Sequence, residues 1–183
     1  MTLRLVAAAA VVLAAAACSR PQRDPYSTTQ PTYDKTTGKL TQLTYDRDHD
    51  GKIDTWTEMN GAKPVRSRID SNEDGKIDRW EYYDDKGQLL KVGLSRNDDG
   101  KPDAWAYSGP DGKVARVEIS SSGDEHKIDR WETYENGELK TVAFDEQGKG
   151  YPTRRLTYAA GNLVLIETDP DGSGGFRART PVK

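Results

Sequence analysis

The chain has 183 residues, of which 31% are charged and 34% hydrophobic, and its formal net charge is −3. This length suits one domain of roughly 100–200 residues, while the composition argues against a thick, multilayered core. Acidic and basic residues are interspersed, and no basic patch is interleaved with aromatic residues, so the sequence excludes the common classes of nucleic-acid-binding protein.

The first 18 residues have the features of an export signal. Arg4 precedes an apolar run from Leu5 to Ala17, which is shorter than the roughly 20 apolar residues that a membrane-spanning helix needs. The run ends at Ala15-Ala16-Ala17-Cys18, and Cys18 is the only cysteine of the chain. This ending resembles the lipobox of bacterial lipoproteins. The alternative is an ordinary secretory signal cleaved within the alanines, which would leave a free thiol.

The lipobox resemblance implies a location and an anchor. It implies that residues 1–17 are removed as a signal peptide and that Cys18 carries a lipid that holds the protein on a membrane of the bacterial cell envelope. Ser19 after the cysteine implies the outer membrane if the source is Gram-negative. Residues 18–32 contain three prolines and almost no aliphatic side chains, so we expect a flexible tether there.

A regular repeat follows the tether. Trp56, Trp80, Trp105 and Trp131 are spaced by 24, 25 and 26 residues, and each follows a variant of the phrase Asp-Gly-Lys-Ile-Asp. Self-similarity at such a period is typical of repeat architectures.

Each repeat predicts a β-hairpin. In each repeat, two runs in which apolar and polar residues alternate are separated by a short turn. Examples are Asn60-Gly61 and Asn136-Gly137, whose residues tolerate the positive φ of tight hairpins. We therefore predict an all-β domain over residues 33–178, an antiparallel meander of about a dozen strands, with a tail at residues 179–183. The tryptophans and the valines of the return strands are expected on one apolar face. Burial of that face requires the sheet to curl or to close, with the tryptophans packed inside.

The loops before the tryptophans are rich in acidic residues. The clearest loop runs from Asp70 to Glu81, with oxygen-bearing side chains at its first, third, fifth, ninth and twelfth places and a glycine at the sixth. This spacing resembles the EF-hand calcium loop, and that resemblance implies bound Ca²⁺. The candidate ligands in the first two loops are Asp46, Asp48, Asp50, Asp54, Asp70, Asn72, Asp74, Asp78 and Glu81. The alternative is plain turn chemistry, in which Asp and Asn bond their own backbone.

An aspartate two residues before each tryptophan is kept in every clear copy. These residues are Asp54, Asp78, Asp103 and Asp129. Because each persists where the other ligands are lost, we favour a structural role in which its carboxylate accepts backbone N–H groups of the loop.

Two families of bacterial repeat are similar to this chain. The phrases Tyr33-Asp34 to Gly38-Lys39-Leu40-Thr41 and Tyr83-Asp84 to Gly87-Gln88-Leu89 resemble the YD repeats of RHS-type proteins. The sequence of an aromatic residue, a turn and a glycine also resembles MORN-like repeats, some of which occur in toxin-neutralising proteins. Both resemblances imply stacked β-hairpins.

These features favour a protein that is not an enzyme. The chain has no nucleophile elbow, phosphate loop or histidine-rich metal site. We expect a membrane-anchored envelope lipoprotein, calcium-stabilised, with a structural role or one in binding an envelope protein or a polysaccharide. The alternative is an inhibitor or immunity-type protein that masks a toxin or hydrolase.

The lipid anchor can be tested at Cys18. We expect the Cys18→Ser variant to move from the membrane fraction to the soluble fraction, because the hydroxyl cannot take the thioether-linked lipid. Cell fractionation with immunoblotting measures this, and Ser19→Ala serves as the control that stays on the membrane. A Cys18→Ser protein that still partitions with membranes would contradict lipidation.

Overall fold

The computed structural model describes residues 28–183, which form a single antiparallel sheet of 13 strands. Each strand pairs with the next one along the chain, so the all-β meander predicted from the sequence is confirmed. None of the residues described forms a helix that could cross a membrane. The strands are β1 (Thr29–Tyr33), β2 (Leu40–Tyr45), β3 (Thr55–Asn60), β4 (Lys63–Ile69), β5 (Arg79–Tyr83), β6 (Leu89–Leu94), β7 (Ala104–Ser108), β8 (Val114–Ile119), β9 (Arg130–Glu135), β10 (Glu138–Phe144), β11 (Arg154–Ala159), β12 (Asn162–Pro170) and β13 (Phe176–Pro181).

The sheet extends beyond the predicted domain limits at both ends. Strand β1 begins at Thr29, inside the segment expected to be a tether, and pairs with β2 along its whole length. Strand β13 continues to Pro181, inside the expected tail, and pairs with β12. The predicted signal peptide, Cys18 and the first part of the tether lie outside the described residues.

The sheet is an open single layer. Over residues 28–183, strands contact only their neighbours in sequence, and β1 and β13 form two free edges. Of the two expected arrangements, a curled sheet or a closed one, closure is therefore excluded for the described residues. Its hydrophobic core is small, because the apolar side chains that are buried in this part of the chain are only Val92, Ala104, Val142 and Ala143.

The register explains why no closure is needed. Directly paired residues of an antiparallel sheet share a face, and the tryptophans pair with Thr, Arg, Gly, Glu and Ala rather than with Val, Leu or Ile. We call this line across the sheet the tryptophan row; from β3 to β10 it consists of Trp56, Arg68, Trp80, Gly93, Trp105, Glu118, Trp131 and Ala143. All four tryptophans are half-buried, so the expectation that they are enclosed inside the sheet is wrong.

The valines lie on the opposite face. Val92 pairs with Glu81 and Ala106, while Val142 pairs with Glu132. The expectation of one shared apolar face is therefore wrong. Each tight turn is accompanied by a register shift, for example between Glu58 and Met59 or between Tyr82 and Tyr83, and a shift of one residue exchanges the two faces of a strand.

Acidic residues on the valine face have polar partners along their own strand. The Glu132 carboxylate, in a residue only 8% exposed, accepts the hydroxyl of Tyr134 at 2.5 Å and contacts Arg130 Nη2. Burial, followed by the hydrogen bond to Glu132, raises the pKa of Tyr134 to about 12. Glu81 repeats this arrangement between Arg79 and Tyr83. These bonds let a carboxylate lie beside Val92 and Val142 without losing all its hydrogen-bond partners.

Gly93 makes room for Trp105 at the centre of the tryptophan row. The two residues are directly paired, and a Cβ atom added at Gly93 would lie 2.7 Å from Trp105 Cζ3. Lys91 Nζ lies 4.2 Å from the centroid of the same indole, which favours a cation–π interaction. The packing of Trp105 across β6 therefore requires a residue without a side chain at position 93.

The Gly93→Ala substitution tests this packing. An alanine in a strand is normally better than glycine by about 0.5–1 kcal/mol, but here the clash should destabilise the fold by about 1–3 kcal/mol. Urea denaturation measures the free energy of unfolding. In a Trp105→Leu background the same change should be neutral or stabilising, and an equal loss in both backgrounds would contradict the proposed contact.

Candidate functional site

The acidic loops all lie at one end of the sheet, because every second connection of an antiparallel meander returns to the same end. We call this the Asp-rich end. Its first five loops follow the even-numbered strands and span residues 46–54, 70–78, 95–103, 120–129 and 145–153. The tight turns occupy the opposite end. Equivalent loops of successive repeats are therefore neighbours in space.

The aspartate before each tryptophan caps the backbone of its loop. Carboxylate oxygens accept hydrogen bonds from Arg47 N in the first loop at 2.6 Å, Ser71 N in the second at 2.7 Å, Arg96 N in the third at 3.1 Å and Ser121 N in the fourth at 3.0 Å. The acceptors are Asp54, Asp78, Asp103 and Asp129, as the capping hypothesis expects. In the fifth loop Thr153 Oγ1 takes this place and accepts Glu146 N at 3.0 Å.

The backbone of the same residues extends the strand ladder into the loops. Asp54 N donates to Tyr45 O at 2.9 Å, and Asp54 O accepts from Asp70 N at 2.8 Å. Asp78 connects Ile69 and Ser95 in the same way. These residues are consequently bonded on both sides, and Asp54 and Asp103 are only 3% and 2% exposed. Their retention is explained without a metal ion.

The first loop brings three predicted ligands together. Carboxylate oxygens of Asp46, Asp48 and Asp50 lie within 4.8 Å of one another. Loop N–H groups already occupy several of these oxygens: Asp46 accepts His49 N at 2.7 Å and Gly51 N at 3.0 Å, one on each oxygen. Turn chemistry accounts for this cluster.

A second cluster joins the first two loops. Oxygens of Asp48, Asp54 and Glu73 also lie within 4.8 Å of one another. Arg47 neutralises part of their charge, since its Nη2 atom lies 2.8 Å from Glu73 Oε1 and 3.0 Å from Ser71 O. A side chain of the protein therefore supplies a cation here.

The second loop holds Asp70, Asn72 and Asp74 as its sequence predicts, but the structure separates Glu81 from them. Asp70 Oδ2 accepts Gly75 N at 2.9 Å, and Asp74 Oδ1 accepts Lys76 N at 2.8 Å. Glu81 lies on β5 with its carboxylate bonded to Arg79 and Tyr83. In an EF-hand a helix follows the loop, whereas here a strand carries the twelfth residue along the sheet.

A cavity of about 350 Å³ lies between the first two loops. The ligand spacing within a single loop does not predict this cavity, although the repeat itself indicates that neighbouring loops adjoin. Five carboxylates and one ammonium group line the cavity, together with a glycine and apolar side chains: Asp50, Lys52, Ile53, Asp54, Trp56, Asp70, Glu73, Asp74, Gly75 and Ile77.

A more apolar cavity of about 440 Å³ lies near the last strands. Tyr151, Pro152, Pro170 and Phe176 contribute to its lining, and the Arg155 guanidinium lies 4.9 Å from the centroid of the Phe176 ring. This cavity was not predicted from the sequence.

Comparison with models of known protein families gave no match, and neither did comparison with curated protein sequences. Among solved structures, the chain is similar to one titled the crystal structure of accessory secretory protein 1,2 and 3 in Streptococcus pneumoniae, at 16% identity and a TM-score of 0.33. The similarity covers 64% of this chain and 19% of the other.

The capping role can be tested at Asp78. Asp78→Ala removes the acceptor of Ser71 N and Asn72 N, and we expect a loss of about 1–2 kcal/mol in the free energy of unfolding, measured in a chelator. Asp78→Thr should lose less, because threonine performs this role at Thr153. Equal losses for the two variants would contradict capping.

Proposed function

We propose that this chain is a non-enzymatic, lipid-anchored protein of the bacterial cell envelope whose sheet binds an envelope polymer, with a polysaccharide as the favoured partner. The lipobox-like segment ending at Cys18 supports the anchor. The tryptophan row supports the binding role, and it is the observation on which this proposal depends.

The row suits an extended ligand because it is regular and uncovered. Successive tryptophans are two strands apart, and neighbouring strands lie about 4.8 Å from each other, so the indoles repeat about every 10 Å. No second layer covers this face over residues 28–183. Tryptophan combines a broad apolar surface with an N–H donor, and it is enriched where proteins bind partners.

The polar residues of the row add hydrogen-bonding capacity. Arg68 stands between Trp56 and Trp80, while Glu118 stands between Trp105 and Trp131. A chain of sugars offers apolar ring faces at regular intervals together with many hydroxyl groups, which matches alternating indole and charged groups. This chemistry favours a polysaccharide over an apolar partner.

The binding role can be tested with the purified full chain in detergent. Insoluble cell-wall polysaccharide should sediment the native chain, and Trp80→Ala should weaken this binding by about tenfold, since losing one central aromatic contact typically costs more than 1 kcal/mol. Tyr45→Ala is the matched control, because Tyr45 is an exposed aromatic residue on the valine face and 38% exposed. Thermal melting of both variants checks that each is folded.

Two outcomes would overturn the proposal. Equal binding by the Trp80→Ala and native chains would exclude the row as the binding surface. Co-purification from envelope fractions with one enzyme at a constant stoichiometry, without polysaccharide binding, would instead indicate the inhibitor or immunity-type function.

A further inference from the structure

We infer that the cavity near the last strands binds a sugar residue that carries a carboxylate, and that the Arg155 guanidinium pairs with this carboxylate. The cavity lies at the end of the tryptophan row, so the acidic sugar is a unit of the polysaccharide that the row is proposed to bind. The inference rests on the proposed function and extends it by naming the class of sugar.

The tryptophan row leads into this cavity. Trp131 pairs with Ala143, and Ala143 pairs with Arg155 on β11. Both Ala143 and Arg155 line the cavity. Since β11 is two strands beyond the strand of Trp131, Arg155 stands about 10 Å further along the row. It takes the place that a tryptophan holds in the four preceding repeats, so a sugar chain lying across the indoles reaches the cavity next.

The wall of the cavity suits a sugar ring. It includes four side-chain rings, which belong to Tyr151, Pro152, Pro170 and Phe176. The faces of a sugar ring carry C–H groups that pack against rings of this kind. The volume of about 440 Å³ falls within the range of roughly 300–1,000 Å³ that is usual for small-molecule sites.

The charge of the cavity selects an anion. Among the described residues that line it, Arg155 is the only one with a charged side chain at neutral pH. The cavity between the first two acidic loops has the opposite character, because five carboxylates line it. The two cavities therefore favour ligands of opposite charge.

Arg155 is held in a fixed orientation. Its Nε atom donates to Glu167 Oε2 at 2.5 Å, and its guanidinium carbon lies 4.9 Å from the centroid of the Phe176 ring. Glu167 is only 1% exposed, and its other oxygen accepts Arg179 Nη2 at 2.7 Å. The hydrogen bond from Arg155 holds the pKa of Glu167 below its usual value, so this anchor is ionised at neutral pH. An oriented guanidinium loses little rotamer freedom when a ligand binds.

The same contacts leave Arg155 able to bind a ligand. Its bond to Glu167 uses Nε, and its two terminal nitrogens have no hydrogen-bond partner among the described residues. Arg155 and Arg179 share one glutamate, so the three side chains keep one positive charge. Two adjacent guanidinium nitrogens match the two oxygens of a carboxylate, which a neutral sugar lacks.

Isothermal titration of the purified full chain in detergent tests the inference with two probes, a tetramer of galacturonic acid and a tetramer of galactose. At low salt the native chain should bind the acidic tetramer about tenfold more tightly, as expected for a charge-assisted hydrogen bond. Arg155→Gln should bind the two tetramers within about twofold of each other. Arg177→Gln is the matched control that keeps the preference, because Arg177 pairs with Asp169 at 3.3 Å and does not line the cavity.

The failure of this inference can be told apart from the failure of the proposed function. Equal binding of both tetramers by the native chain, with both weakened by Trp80→Ala, would overturn the inference and leave the row as the binding surface. No binding of either tetramer or of insoluble polysaccharide would overturn both. Free galacturonic acid that binds as tightly as its tetramer would identify the ligand as a small acid and not a unit of the polymer, which also overturns the inference.

A second variant covers the case in which Arg155→Gln fails to fold, since this substitution removes a partner of the buried Glu167. Tyr151→Ala then replaces it, because Tyr151 lines the same cavity and is 43% exposed. This variant should bind the acidic tetramer at least about threefold more weakly, since it loses one ring of the wall. An unchanged affinity for the acidic tetramer would overturn the inference.

Discussion

The cohesion of this protein depends on the pairing of each strand with its two neighbours. A layered protein holds its sheets together by burying a shared apolar face, and here the described residues provide no second layer. Stability must therefore come from the backbone ladder and from cross-strand side-chain pairs, added repeat by repeat. A composition with 31% charged residues is compatible with this, because few positions need to be fully apolar.

The aspartate before each tryptophan makes this local pairing continuous. At the tight end of each hairpin, two or a few turn residues complete the connection. At the Asp-rich end the loop is long, and its N–H groups would otherwise lack partners. Asp54, Asp78, Asp103 and Asp129 supply a carboxylate for the loop and a backbone group for each adjacent strand. Each of these aspartates thus bonds the strands on both sides through its backbone and orders the preceding loop through its carboxylate.

The strand order could be predicted from local sequence. Which residues share a face of the sheet, and the cavity between the first two acidic loops, could not. The tryptophan period and the Asn-Gly turns at Asn60 and Asn136 were sufficient for an antiparallel meander, since turn chemistry is local. The assignment of faces failed because one extra residue at each tight turn reverses the alternation. Nothing in the residues near Val92 marks that shift. The cavity at Asp70 depends on the approach of two loops 24 residues apart, so reading each loop singly could not reveal it.

The two open edges of the sheet, at β1 and β13, have a consequence for solubility. An unpaired edge exposes N–H and C=O groups to which another chain can add, and single-layer sheets therefore risk polymerising edge to edge. Strand β1 carries Pro31 and strand β13 carries Pro181, and proline offers no N–H to a new strand. In the sheet that residues 28–183 form, both edge strands thus carry a residue that opposes the addition of a further strand.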